Sequence, residues 1–381
     1  MRVLVLGARA PACMEWLRKL RGAGHCAWAA DSMTFPLSRF SKACSGYLKL
    51  PRPKTQFTRW HQCLRKAVKS HQIDLIIPTC EEVFYLAKAH DLQSLGCDIL
   101  CSNFKTLAGL HNKYQFSRLV DSFNVTCPKT VMIESKQSIS PHLLESKSYV
   151  AKPVFSRFAS KTLIKPSAEQ LNRIEPSVDS PWVLQEFISG VEYCSYAVVS
   201  NGVLLANVCY RPKYRAGLGA GIYFERVEIL EIDAFVAQIS KSLNFTGQIS
   251  FDYIRTPEGR IYVIECNPRA TSGIHFIKSV WVNGKNSLSM TIDSSRSSGC
   301  HPEKRMVFLA LMVFHFKKMF DKRFREDVKL ATDVIWDKHD VYPLLLQPLV
   351  LIEVFYCSIR FFKSPIGATT FDIEWDGHDI G

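Results

Sequence analysis

The chain has 381 residues, 47% of them hydrophobic and 22% charged, a length that implies two or three domains and a composition that excludes disordered and fibrous classes. Thirteen cysteines, an odd number spread from Cys13 to Cys357 without a CxxC spacing, argue against a disulfide framework or structural zinc site and for reduced thiols in a cytoplasmic compartment. Lysine and arginine total 48 against 35 acids, a formal charge of +13, which favours anionic partners or simply leaves a basic surface.

Val3 to Leu6 is apolar and stops at Gly7, too short for the core of a signal peptide. Met14 to Leu20 has helical spacing, and Cys26 to Ala30 runs as a second strand into Asp31. Ile73 to Pro78 is another buried-strand pattern, and this rhythm predicts a parallel sheet with helices on both faces. The first turn, Gly7-Ala8-Arg9-Ala10, lacks the further glycines of a dinucleotide fingerprint. A Rossmann-like domain without a nicotinamide cofactor is therefore expected. A helix carrying Lys113 is expected between about 105 and 130, then strands at Ser148–Pro153, Trp182–Ile188 and Glu192–Val199, a helix at 231–243 and a hairpin from Gly247 to Asn267. Asn286 to Lys304 reads as a loop. Helical blocks at 305–332 and 342–363 and a strand-like tail at Thr369–Trp375 complete the chain. The longest apolar run, Tyr342 to Phe362, is broken by Pro348, Glu353 and Arg360, and reads as a buried helix rather than a membrane span.

The Gly247–Asn267 hairpin carries the chemistry. Thr256-Pro257-Glu258-Gly259 suits a type I turn. A turn with two central residues pairs Ser250 with Glu265 and Asp252 with Val263. One face then holds Ile249, Phe251, Tyr253, Tyr262, Ile264 and Cys266. The other holds Asp252, Glu265 and Asn267, with the two acids diagonal at roughly 7–8 Å. Hard oxygen donors so placed suit Mg²⁺ beside phosphate oxygens. The alternative is a solvated polar face, although Glu265 ends the apolar run Ile261–Ile264, where an unpaired carboxylate is costly.

Together, Glu265-Cys266-Asn267-Pro268-Arg269 and the earlier Asp252 resemble the ATP-grasp superfamily, near its carbamoyl-phosphate-synthase and carboxylate–amine-ligase branch. The likeness covers roughly residues 1 to 280. It implies Asp252, Glu265 and Asn267 as ligands of the nucleotide's Mg²⁺ (or Mn²⁺), and Arg269 as the contact to the transferred phosphate. Lys113 resembles the lysine before the lid that reaches the phosphates, and Lys152 that of the lid strand. Trp182 to Glu192 resembles the adenine hinge, with Glu186, Phe187 and Ile188 reading the base and Glu192 the ribose. The family's glycine-rich phosphate loop is replaced by Val154 to Thr162, which has no glycine. Ser156, Ser160 and backbone amides remain to cradle phosphate, with Arg157 or Lys161 adding charge.

Two segments suggest substrate contacts: the basic, glycine-rich Tyr210–Gly221 with Arg211 and Arg215, otherwise a flexible surface loop, and Thr271-Ser272-Gly273. His275 alone is weak support for acid–base work. The expectation is an α/β chain. It begins with a Rossmann-like pre-ATP-grasp domain (1–105) and continues with a two-part ATP-grasp domain (106–280, lid about 125–190). A mostly helical extension (281–381) follows. The resemblance implies an ATP- and Mg²⁺-dependent ligase that joins a small carboxylate to an amine through an acyl-phosphate. The competing expectation is a catalytically degenerate ATP-grasp protein that binds nucleotide, or associates with a membrane or polyanion through Met306–Arg325. No nucleic-acid partner is expected, and a homo-oligomer is compatible with the sequence.

Overall fold

The computed structural model describes residues 1–139, 148–156, 161–217, 219–283, 289–295 and 303–381. Five strands, β1 (Arg2–Leu6), β2 (Cys26–Asp31), β3 (Gly46–Lys49), β4 (Leu75–Ile77) and β5 (Asp98–Ile99), form one parallel sheet ordered β3-β2-β1-β4-β5. The apolar runs of β1 and β4 are buried because α1 (Pro11–Gly22), α2 (Phe57–His71) and α3 (Glu82–Leu92) fill the crossovers. Gly7 turns the chain out of β1 at φ +78°, and a Cβ there would lie 2.6 Å from Thr79 Oγ1. Instead of one helix around Lys113 there are two, α4 (Phe104–His111) and α5 (Lys113–Val120). Asn112 separates them because its Oδ1 accepts the amides of Tyr114 and Gln115 at 3.1 and 2.9 Å, capping α5.

A second, antiparallel sheet contains β6 (Thr130–Ile133), β7 (Tyr149–Pro153), β8 (Leu163–Ile164) and β9 (Trp182–Glu186) in the order β6-β9-β7-β8. Ile133, Ala151, Trp182 and Leu184 make its core with Leu171 of α6 (Ala168–Asn172). The third sheet is built on β10 (Val191–Ser200), β11 (Val203–Ala216) and β12 (Ala220–Val227). After α7 (Leu230–Ser242) it adds β13 (Gly247–Arg255) and β14 (Ile261–Asn267), giving β14-β13-β10-β11-β12. The basic stretch Tyr210–Gly221 is thus largely strand, not loop: Tyr210–Ala216 ends β11 and Ala220–Gly221 begins β12. Residues 286–304 likewise contain regular structure: β16 (Ser289–Asp293) pairs with β15 (Ser279–Asn283), and β17 (Lys304–Met306) extends the large sheet beside β12.

The C-terminal blocks are more broken than their periodicity suggests. α8 (Phe308–His315), a 3₁₀ turn (Phe316–Phe320), α9 (Lys322–Leu330) and β18 (Thr332–Asp333) precede α10 (Tyr342–Leu345), α11 (Gln347–Arg360) and α12 (Pro365–Ala368). Residues 369–375 form turns and irregular backbone, not a strand. Nor is α11 buried: Val354 and Cys357 face inward, while Ile352, Phe355, Tyr356 and Ile359 are exposed. No helix among the described residues is long and apolar enough to cross a membrane.

Candidate active site

The hairpin turn forms where expected, with the Gly259 amide donating to Thr256 O at 2.9 Å. Its register differs from expectation. Gly259 takes φ +90° and becomes a third loop residue, so the Thr256 amide meets Arg260 O. A second irregularity between Asp252 and Tyr253 shifts the pairing again. Ser250 therefore faces Asn267, and Asp252 faces Glu265 directly rather than on the diagonal. The same shift turns Val263 into the core and leaves Tyr262 and Ile264 half-buried. Nor is the polar face solvated. Gln248 bonds Trp16, Tyr196 and Pro78 O, and Ser250 is buried against Arg269 O and Thr271.

Several elements converge on Glu265. Lys113 opens α5 and Lys152 lies in β7, and both are buried. Their ammonium groups stand 3.9 and 3.7 Å from Glu265 Oε2, and Lys113 Nζ also donates to the carbonyls of Val154 and Ser156 at 3.4 and 3.3 Å. Asn267 Nδ2 donates to Asp252 Oδ2 at 3.1 Å, and Arg269 Nη2 donates to Asn267 Oδ1 at 3.1 Å. Arg269 Nε approaches Glu81 at 3.6 Å. One wall thus runs Lys113/Lys152–Glu265–Asp252–Asn267–Arg269–Glu81.

Charges on this wall set one another. Burial would raise Glu265, but Lys113 and Lys152 outweigh it and hold the carboxyl below its usual range. Burial and the facing Glu265 both raise Asp252. Burial pushes Lys113 down to about 8, with Lys152 adding to the push and Glu265 opposing it.

The other expected residues fall into three groups. Arg215 forms an ion pair with Glu192 and donates to Gly219 O at 2.9 Å, joining the ribose and substrate candidates. At the hinge, Lys129 N lies 3.4 Å from Glu186 Oε2, the Phe187 amide donates to Ser148 O at 2.9 Å, and Lys165 Nζ lies 4.4 Å from the Phe187 ring centroid. Ile188 follows, half-buried. Near Arg269, Thr271 Oγ1 bonds Tyr210 and Ser250, and Gly273 packs so closely on Tyr196 that a Cβ would lie 2.3 Å from its Cβ. Thr271 precedes the 3₁₀ turn Ser272–Phe276. Arg211 alternates with the inward-facing Tyr210 and is exposed on the other face of β11. His275 is buried, paired with Glu15 at 3.0 Å. Ser156 is described, whereas Arg157 and Ser160 lie outside the described residues.

Among the described residues no three His, Cys, Asp or Glu side chains assemble as a metal cage. The two opposed carboxylates and the Asn267 amide still fit Mg²⁺. They are hard oxygen donors, and the mutual repulsion that raises Asp252 is what a divalent cation would relieve.

Residues 110–273 match the family described as the ATP-grasp domain. These residues form an ATP-grasp domain. A carbamoyl phosphate synthase arginine-specific large chain from Eremothecium gossypii is 24% identical over 213 residues, covering 50% of this chain and 19% of that one. The chain therefore aligns with about a fifth of this curated relative. Among solved structures, L-amino acid ligase from Bacillus licheniformis superposes with a TM-score of 0.54 at 14% identity, covering 71% of this chain and 68% of that one. N5-carboxyaminoimidazole synthetase from Staphylococcus aureus, complexed with ADP, gives 0.54 at 12%, covering 72% of each. Biotin carboxylase from Campylobacter jejuni, in a β,γ-ATP complex, gives 0.57 at 10%, covering 71% and 66%. About seven-tenths of the chain shares their α/β fold.

Around the ATP-grasp domain the structure adds residues that the sequence reading did not select. His111 is buried one residue before the Lys113 cap, against Phe84, Phe155 and Trp375, and burial lowers it to about 4. Glu81 reaches Arg269 from the end of β4. Neither carries a local sequence signal: Glu81-Glu82, separated from Pro78 by two residues, reads as an ordinary acid pair at the start of a helix.

Proposed function

We propose that the protein is an ATP- and Mg²⁺-dependent ligase that activates a small carboxylate as an acyl-phosphate and joins it to an amine, releasing ADP and phosphate. The observation that carries this reading is the convergence of Lys113 and Lys152, from separate elements, on Glu265 beside Asp252. Buried cations set against an opposed pair of acids are costly for a fold alone and suited to a triphosphate with its metal.

In this reading Asp252, Glu265 and Asn267 hold Mg²⁺. When bound there, the ion would supply positive charge to the nucleotide's phosphates. Lys113, Lys152 and Arg269 donate to the phosphate oxygens, with Ser156 at the loop. Glu186, Phe187 and Ile188 line the base. Because the Phe187 amide is engaged with Ser148, base contacts fall to the remaining groups of the hinge. Glu192 takes the ribose hydroxyls, steadied by Arg215. A carboxylate oxygen of the substrate attacks the γ-phosphorus, and the bond to the β-phosphate oxygen breaks with its electron pair leaving on ADP. The amine nitrogen then attacks the acyl carbon, phosphate departs with the electrons of the C–O bond, and the amine loses a proton. Thr271, Ser272 and Gly273 lie beside Arg269, where the carboxylate would sit; Arg211 is too far round the strand to share this task. The S. aureus synthetase with ADP and the B. licheniformis ligase share the fold that supports this reading.

The test is ADP release from ATP with pooled carboxylates and amines, with and without Mg²⁺. Glu265→Gln should lose on the order of a hundredfold in rate per folded molecule, and its melting temperature should fall, because buried Lys113 and Lys152 lose the carboxylate that compensates them. Wild-type ADP release by Glu265→Gln, at unchanged Mg²⁺ dependence, would overturn the assignment.

A further inference from the structure

Burial is inverted in the segment that follows β17. Of α8, only Leu311 is buried, and it joins Phe324 of α9 in a small core with Ile222, Tyr223 and Met306. Outside that anchor, Val313, Phe314, Phe316, Met319 and Phe320 face solvent, Phe320 with 79% of its surface exposed. Soluble chains rarely leave so continuous an apolar patch uncovered.

Charge surrounds this patch asymmetrically. Lys317, Lys318, Lys322, Arg323, Arg325 and Lys329 are all exposed. Two of the three acids in the segment turn to internal tasks. Asp321 accepts the amides of Arg323 and Phe324 as the cap of α9, and buried Asp327 binds Lys213 and Tyr214 at 2.7 and 2.6 Å. Only Glu326 adds an exposed acid without such a role.

We propose that residues 313–330 dock the protein on an anionic bilayer surface. Phe316, Met319 and Phe320 would enter the headgroup–acyl boundary, and the cations beside them would meet lipid phosphates. Pairing with a second copy would set six cations against six. A nucleic acid would match the charge but leave aliphatic Val313 and Met319 wet. An anionic bilayer satisfies both, and it needs no spanning helix. The segment adjoins the Arg215–Glu192 pair, because His315 Nε2 lies 2.8 Å from Arg215 O. Docking here would hold the nucleotide-side rim close to the lipid plane. The proposal does not depend on the ligase reading.

The experiment is co-sedimentation of the full chain with phosphatidylcholine vesicles and with vesicles containing about 30% phosphatidylglycerol, at low and high salt. Binding should be about tenfold stronger to the anionic vesicles and should fall with salt. Phe316→Ser/Phe320→Ser and, separately, Lys317→Gln/Lys322→Gln/Arg323→Gln should each weaken it severalfold, with melting temperatures unchanged because these side chains are exposed. Equal binding to neutral vesicles, or none to either, overturns the proposal. So does binding that survives the phenylalanine changes and is competed away by single-stranded RNA, the mark of a polyanion site. Loss only on Ile352→Ser/Ile359→Ser would move the contact to α11, and a dimer abolished by Phe316→Ser/Phe320→Ser would make the patch a self-interface; either result also overturns it.

Discussion

Asp252 and Glu265 face each other across paired strands, where like charges destabilise. Glu265 is compensated by two lysines, whereas Asp252 has the Asn267 amide and more distant arginines. Asp252→Asn should therefore raise the melting temperature of the ligand-free protein, by the equivalent of about 1 kcal/mol, while reducing ADP release on the order of a hundredfold. A solvated polar face would show neither effect. Lys152→Met tests the opposite sign. It removes a desolvated cation and half of the compensation for Glu265, so stability should change by less than about 1–2 kcal/mol while turnover falls steeply. A melting curve beside an ADP-release assay reads both variants, and parallel losses of stability and activity would make Lys152 a fold residue only. At this scale the sequence was legible where chemistry is local in the chain. Glu265, Asn267 and Arg269 share one strand end, and Asp252 sits across a short turn. Glu81 and His111 reach the same wall through tertiary packing and carry no local pattern that separates them from surface or core residues.

Among the elements, the Gly247–Asn267 hairpin was readable from alternation and turn chemistry, but its register was not. Two irregularities decide it: the left-handed Gly259 and the shift beside Asp252. Each moves the pairing by one, and together they place the acids opposite one another. Period-two patterning cannot detect such insertions, because it reads only which face a residue prefers. Gly259 has open space around its missing Cβ, with the nearest atom at 3.9 Å, so Gly259→Ala pays only backbone strain. It should cost about 1 kcal/mol in stability, and Gly259→Asn less, since asparagine tolerates this conformation. Activity per folded molecule should persist in both, because β13 is also fixed along its length by β10. Denaturant titration with an activity assay checks this; a turnover loss beyond the unfolded fraction would mean that the turn sets the site. The apolar α11 was misread for a related reason. Composition cannot say which side of a helix finds a partner. Here Glu353 turns inward to bind the Thr34 and Phe35 amides at 2.6 Å each, leaving apolar residues outside.

The whole molecule is closed by a strap that no local pattern reveals, since its contacts span most of the sequence. Residues 369–378 cross the carboxyl ends of β1, β2 and β4. Arg9, from the turn after β1, holds Asp31 at 2.5 Å and Asp372 at 2.6 Å, and Ser32 donates to the same Asp372. Trp375 packs among Phe84, Phe104 and Phe155, with ring centroids 4.9–5.2 Å away, and its amide reaches Glu81. The strap thus joins the parallel sheet to the chain beside Lys113 and Arg269. Its charged anchors are acids. Burial would raise Asp372, but Arg9 overcomes this and holds it below the usual carboxylate range; Lys54 and His378 likewise hold Asp376 at about 2. A depressed carboxylate contributes its stabilisation above the unfolded value of about 4 and loses it as pH falls through the folded one. The strap should therefore be firm at neutral pH and loosen progressively below about pH 4, before the buried, uncharged interior of β1 opens. Hydrogen exchange, corrected against an unstructured peptide, should show protection of residues 369–381 lost at a higher pH than that of residues 2–6. In Asp372→Asn, which keeps the shape but not the charge, strap protection should be low already at neutral pH and vary less with acid. If strap and sheet lose protection together in the wild type, and Asp372→Asn matches it throughout, then Trp375 packing rather than the Arg9 ion pairs holds the C-terminus in place.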